Sequence, residues 1–196
     1  MPVPDNLHPL AAAVPAARRP RRATMRQRIA MDLHAFARHE QQRLSLRLAL
    51  RLFLLTPGFQ FVLARRIGEG LAGVPVIGRA LRRLWWWRTC RAFGSEIAIG
   101  ATVEGGLYVP HPYGIVIGVA MIGHDVTILQ NVTIGNRGEA GTPGAVIGDG
   151  AYLGAGAAVI GAVTIGARAR VGANAVVTRD VPPGATAVGI PARARR

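Results

Sequence analysis

The chain has 196 residues, with 24 arginines, no lysine, 10 acidic residues and a formal net charge of +14. A single cysteine, Cys90, excludes an internal disulfide and fits a reducing compartment. No apolar run approaches the roughly 18 residues that cross a bilayer, and the first residues lack the basic-then-apolar order of a secretory leader, so a cytoplasmic protein is expected.

The charge is unevenly placed. Residues 1–95 hold 17 arginines against Asp5, Asp32, Glu40 and Glu69, whereas residues 96–196 hold 7 against six acids. The basic character belongs to the N-terminal half, and no recognised nucleic-acid-binding motif accompanies it, so no nucleic-acid partner is expected.

Residues 1–24, rich in Pro, Ala and Arg, read as a disordered tail, with Met25 and Met31 as alternative starts. Residues 25–94 turn helical and basic. Arg43, Arg47 and Arg51 share a stripe at spacing four among Leu44, Leu46, Leu48, Leu50, Leu52, Phe53 and Leu54. Pro57-Gly58 should break that helix, Phe59 to Leu71 should form a second, and Ile77 to Phe93 a third after a break at Gly73 to Pro75. The third carries Arg79, Arg82, Arg83, Arg88 and Arg91 beside Trp85, Trp86 and Trp87. Two roles suit such helices. They can cover the free strand edges of whatever follows, or they can contact the inner face of a membrane through residues 26–93, since Arg beside Trp suits anionic headgroups.

From residue 95 a six-residue beat takes over. Branched apolar residues stand at Ile97, Val103, Val109 and Ile115, then after a slip at Ile122, Ile128 and Ile134, and after a break at Ile147, Leu153, Val159, Ile165, Val171 and Val177. Small or β-branched residues such as Val126, Val132, Ala151, Ala157, Val163, Ala169 and Ala175 follow four places on. A helix would show spacings of three and four, and a half-buried strand would alternate by two. A fixed hexad instead marks a parallel β-helix, each rung pointing one large side chain inward. The β-helix should span residues 95–180, with a loop at Asn136 to Ala145 and a C-terminal tail over residues 181–196.

The rungs carry two histidines. His111 lies between Pro110 and Pro112 with Gly114 following, and a neutral imidazole there suits a general base. His124, in Gly123-His124-Asp125, reads as a structural turn residue. Two histidines and no second cysteine in this half make a poor ligand set, so no metal is expected.

The runs VPHPYGIVIG, ILQNVTIG, IGDGAYLGAGAAVIG, VGANAVV and DVPPGATAVGIPARAR resemble the hexapeptide-repeat acyltransferases, most closely the serine O-acetyltransferases, over about Glu96 to Arg195. The resemblance implies a left-handed β-helix, a homotrimer, and acetyl-CoA bound between neighbouring prisms. It makes His111 the base that deprotonates an acceptor hydroxyl and Glu96 the carboxylate that orients it. It places Thr133 and Gly135 beside the donor cleft. Gly154, Ala155, Gly172 and Ala173 match the small residues along which pantetheine runs, and Arg193 lies near the nucleotide end.

The chain also departs from that pattern. Pro110 replaces the acidic residue that precedes the base, and the loop at Asn136 to Ala145 lacks the family's second active-site histidine. The donor half is therefore expected intact and the acceptor half altered. Within an O-acetyltransferase, that favours a sugar hydroxyl of a surface polysaccharide or its precursor over L-serine. The alternatives are a non-catalytic trimeric scaffold at the membrane surface and, more remotely, a metalloenzyme of carbonic-anhydrase type on the same fold.

Overall fold

The computed structural model describes residues 23–136 and 144–195; the tail expected over residues 1–24 falls almost wholly outside them. Among the described residues four helices come first: α1 (Met25–His39), α2 (Leu46–Leu55), α3 (Pro57–Leu71) and α4 (Gly78–Phe93). The Thr24 side chain accepts from the Gln27 amide while the Gln27 side chain caps Thr24 in return, which fixes the start of α1. Pro57 is tolerated at the first position of α3, where an amide hydrogen would have no partner, so α2 ends there and α3 leaves it at 83°. Arg43 precedes α2 rather than extending its stripe.

Among the described residues fourteen short strands follow as a left-handed β-helix with three faces. The first face stacks β1 (Glu96–Ile97), β3 (Val116–Ile117), β6 (Thr133–Gly135), β9 (Ala158–Ile160) and β12 (Val176–Val177). The second stacks β2 (Thr102–Val103), β4 (Met121–Ile122), β7 (Val146–Ile147) and β10 (Thr164–Ile165). The third stacks β5 (Thr127–Ile128), β8 (Tyr152–Leu153), β11 (Arg170–Val171), β13 (Thr186–Gly189) and β14 (Ala192–Arg195). All pairings are parallel except β13 with β14, so the residues expected to form a C-terminal tail instead close the third face with a hairpin.

Every hexad residue singled out above is buried, as are the small residues four places on. One register differs from the sequence reading. Ile97 pairs with Ile117, twenty residues on, where Val159 pairs with Val177, eighteen on. Ile117, not Ile115, is therefore the rung residue, and the first coil carries two extra residues in the segment that includes His111. Ile115 fills the corner position that Val132 takes in the next coil, also fully buried. The stack runs on across the loop after β6, since β4 pairs directly with β7; residues 137–143 of that loop lie outside the described residues.

The helices cover the open end of the prism. Its first coil leaves backbone groups with no strand to pair, and a buried polar group must find a partner. Arginine and tryptophan supply donors. Trp86 Nε1 reaches the Ile97 carbonyl at 3.0 Å, Arg82 that of Ile99 at 2.7 Å, and Arg65 those of Ala98 and Ala101 at 3.1 and 2.6 Å. Arg66 takes Val103 and Glu104 at 2.8 and 2.6 Å, and Asp32 Oδ1 accepts from the Gly106 and Leu107 amides at 2.8 and 3.0 Å. Both arginines of α3, and Arg82 of α4, thus answer a carbonyl-rich edge. Trp85 is spent likewise, its indole donating to the Ala64 carbonyl at 2.7 Å. The Trp cluster proposed as a membrane contact is therefore largely engaged inside the chain.

Candidate active site

The two extra residues of the first coil push the segment from Pro110 to Gly114 out from the prism edge, and His111 is exposed on it. Its backbone is held from several sides. The Tyr113 amide donates to the His111 carbonyl at 2.9 Å, and the Gly114 amide to the Gly94 carbonyl at 3.1 Å. Ser95, buried, donates through Oγ to the Pro112 carbonyl at 2.9 Å and accepts from the Ile115 amide at 3.0 Å. Gly114 has φ of +67°, and a Cβ there would lie 2.1 Å from Asn131 Oδ1. Gly58 lets α3 start directly on the strand leading in: a Cβ would sit 1.9 Å from the Val109 carbonyl oxygen. Sequence reading missed Ser95, Asn131 and Gly58, because none lies near His111 in the chain and only the coil geometry brings them under it.

Glu96 starts β1 in register with Val116, half-buried. In the single chain it forms no hydrogen bond or ion pair with His111, which is where the expectation for it stops. Its charge acts instead on Cys90, whose thiol is pushed up first by burial and then by Glu96.

The expected donor residues fall into two groups. Gly154, Ala155, Gly172 and Ala173 lie on the same prism edge as His111, one coil below another. Consecutive backbone bonds trace that edge: the Asn131 amide to the Tyr113 carbonyl at 2.9 Å, Gly156 to Gln130 at 2.9 Å, and Asn174 to Ala155 at 2.8 Å. The edge ends at the hairpin, where a Cβ on Gly172 would meet Val188 Cγ1 at 2.8 Å and where Arg193, exposed, pairs in register with Val188. Four coil steps separate the His111 coil from the hairpin, about 19 Å at the usual strand spacing. Thr133 and Gly135 sit apart from this edge, on the first face in β6.

The glycines have different reasons. A Cβ on Gly154 would lie 2.7 Å from the Ala173 amide nitrogen and 2.8 Å from the Val171 carbonyl oxygen, so coil stacking alone demands glycine. A Cβ on Gly135 would meet nothing within 4 Å among the described residues, and no left-handed backbone requires glycine there. The space in front of Gly135 suits the close approach of something outside the chain.

His124 is a turn residue, as expected: its amide donates to Asp149 Oδ1 at 2.7 Å and its carbonyl accepts from Gly150 at 2.7 Å. Among the described residues, no three His, Cys, Asp or Glu side chains are grouped to hold a metal ion. A small cavity lies under α4, lined by Arg65, Trp85, Trp86, Cys90 and Ser95, and does not include His111.

Residues 144–179 match the family model for bacterial transferase hexapeptide repeats. The serine acetyltransferase of Helicobacter pylori strain J99 is 38% identical over 144 residues, covering 71% of this chain and 82% of that protein. Serine acetyltransferase 3, mitochondrial, of Arabidopsis thaliana is 45% identical over 108 residues, which is 54% of this chain but only 28% of that longer protein. A serine acetyltransferase solved in complex with CoA superposes with a TM-score of 0.75 at 30% identity, over 87% of this chain and 69% of that one.

Proposed function

Since this chain belongs to the serine acetyltransferase family of hexapeptide-repeat acyltransferases, we propose that it transfers the acetyl group of acetyl-CoA to an acceptor hydroxyl, with His111 as general base. The observation that carries this reading is the continuous prism edge. It joins His111 through Ala155 and Ala173 to the hairpin with Arg193, an elongated track for a ligand with a thioester at one end and phosphates at the other. Arg193 offers its guanidinium to those phosphates. Gly135 leaves room on the adjoining face for a thiol arm from outside the chain.

Acetyl-CoA supplies an acetyl carbon activated by its thioester. His111 accepts the hydroxyl proton as the acceptor oxygen attacks that carbon, and returns a proton to the departing sulfur when the C–S bond breaks. The products are the acetyl ester and free CoA. Glu96 is proposed to orient the imidazole once the site is complete. His111 is exposed in the single chain, and a neighbouring protomer of a homotrimer would enclose it. The outward row of the first face, Val116, Ala158 and Val176 in register with Thr133, supplies an apolar surface for such a neighbour.

For the acceptor, the names of the relatives favour L-serine. A sugar hydroxyl is the second reading, and Pro110 favours it, because an imino acid beside the base provides no carboxylate for an α-ammonium group. Thiol release from acetyl-CoA, measured with L-serine and with a panel of sugar acceptors, separates the two. Turnover with serine alone removes the sugar reading. His111→Ala should lower turnover by about 10²–10⁴-fold, and an unchanged rate would remove His111 from the mechanism. Absence of acetyl-CoA binding in calorimetry would leave the non-catalytic scaffold.

A further inference from the structure

Helix α2 is apolar on two sides. Leu48 and Leu52 point into the core, 3% and 0% exposed. On another side Leu46, Leu50, Phe53 and Leu54, at the i, i+4, i+7 and i+8 places of one helical face, are 88%, 57%, 38% and 62% exposed. Arg47 and Arg51 flank that face, and Arg43 lies in the link just before it. Arg51 is paired with Glu40; Arg43 and Arg47 have no carboxylate partner among the described residues. No other acid occurs between Glu40 and Thr56.

We propose that this face of α2 docks on an anionic lipid surface. Ten residues of helix are about 15 Å long, half of a bilayer's hydrocarbon thickness of about 30 Å, and among the described residues no single helix is long and apolar enough to span. The helix therefore lies in the interface, leucines down and arginines at the headgroups. Charge decides against a second copy as occupant. The same face of a second copy carries no acid between Glu40 and Thr56 to answer Arg43 and Arg47, whereas anionic headgroups neutralise them. The contact thus sits on α2, away from Trp85 and Trp86 of α4, whose indoles are bonded to α3 and to the prism end.

The test is co-sedimentation of the full chain with vesicles of phosphatidylglycerol and phosphatidylcholine, against pure phosphatidylcholine. The chain should pellet with the anionic vesicles and be released by salt. Leu50→Glu with Leu54→Glu, and separately Arg43→Glu with Arg47→Glu, should each lower the bound fraction at least tenfold. Leu46→Ser, at a residue almost free of the fold, should also weaken binding while leaving the circular dichroism spectrum and acetyl-CoA turnover unchanged. The proposal fails if the wild-type chain stays in the supernatant, or if these variants bind equally well. It fails too if Leu50→Glu with Leu54→Glu lowers the particle mass in sedimentation velocity, since the face would then join copies of the chain.

Discussion

Arg66 and Asp32, thirty-four residues apart, form a two-bond ion pair inside the protein: Nε to Oδ2 at 2.9 Å and Nη2 to Oδ1 at 3.2 Å, with both side chains fully buried. The same two side chains also hold the backbone of Val103, Glu104, Gly106 and Leu107, so α1, α3 and the first coil share one network. Burial pushes the Asp32 carboxyl up while Arg66 and the two amides pull it back. Such a pair is costly to break from one side, because the survivor stays buried and unpaired.

Arg66→Met should therefore destabilise the protein by about 3–5 kcal/mol, read from the urea midpoint. Arg66→Lys should not restore it, since an ammonium cannot reach a carboxylate and two carbonyls in one planar fork.

Ser95→Ala should leave the Ile115 amide and the Pro112 carbonyl short of a partner inside the fold. The expected loss is about 1–3 kcal/mol in chemical denaturation. If His111 is the base, turnover should fall more than stability explains, because the loop beneath the imidazole loosens.

Gly135→Ala and Gly154→Ala should separate ligand contact from coil packing. The first adds a methyl where no described residue lies within reach, so the melting temperature should hold while acetyl-CoA affinity drops in calorimetry. The second drives a methyl into the backbone of the next coil and should cost about 1–3 kcal/mol in stability. Unchanged affinity in Gly135→Ala would take that residue out of the donor site.

His39 stacks on Tyr108 with ring centroids 3.8 Å apart and planes 1° from parallel. Burial, then the Arg38 charge, hold its imidazole below the ordinary value of 6.5. The neutral ring is the folded form, so its contribution is complete above about pH 6.5 and is lost as pH falls through the depressed folded value. The melting temperature should fall below pH 6.5 more steeply for the wild type than for His39→Phe. Identical slopes would dismiss His39 as the titrating group.

The β-helix was legible because its interior repeats: every coil needs the same inward side chain at the same interval, so Ile97 through Val177 announce it one residue at a time. His111 stood out as a candidate for a similar reason, since prolines on both sides and a following glycine are local features. Other relationships were not local. Only the coil register shows that Ile117 rather than Ile115 sits on the rung, and that the two added residues lift His111 off the edge. Only the stacking shows that Gly154 is required by the coil below while no described residue requires glycine at Gly135. The arginines of α3 and α4 look in sequence like a surface for an anionic partner, and in three dimensions Arg65, Arg66 and Arg82 are donors to an unpaired strand edge. That edge exists only once the prism is built, because a backbone carbonyl has no need of an arginine until folding has taken away its water.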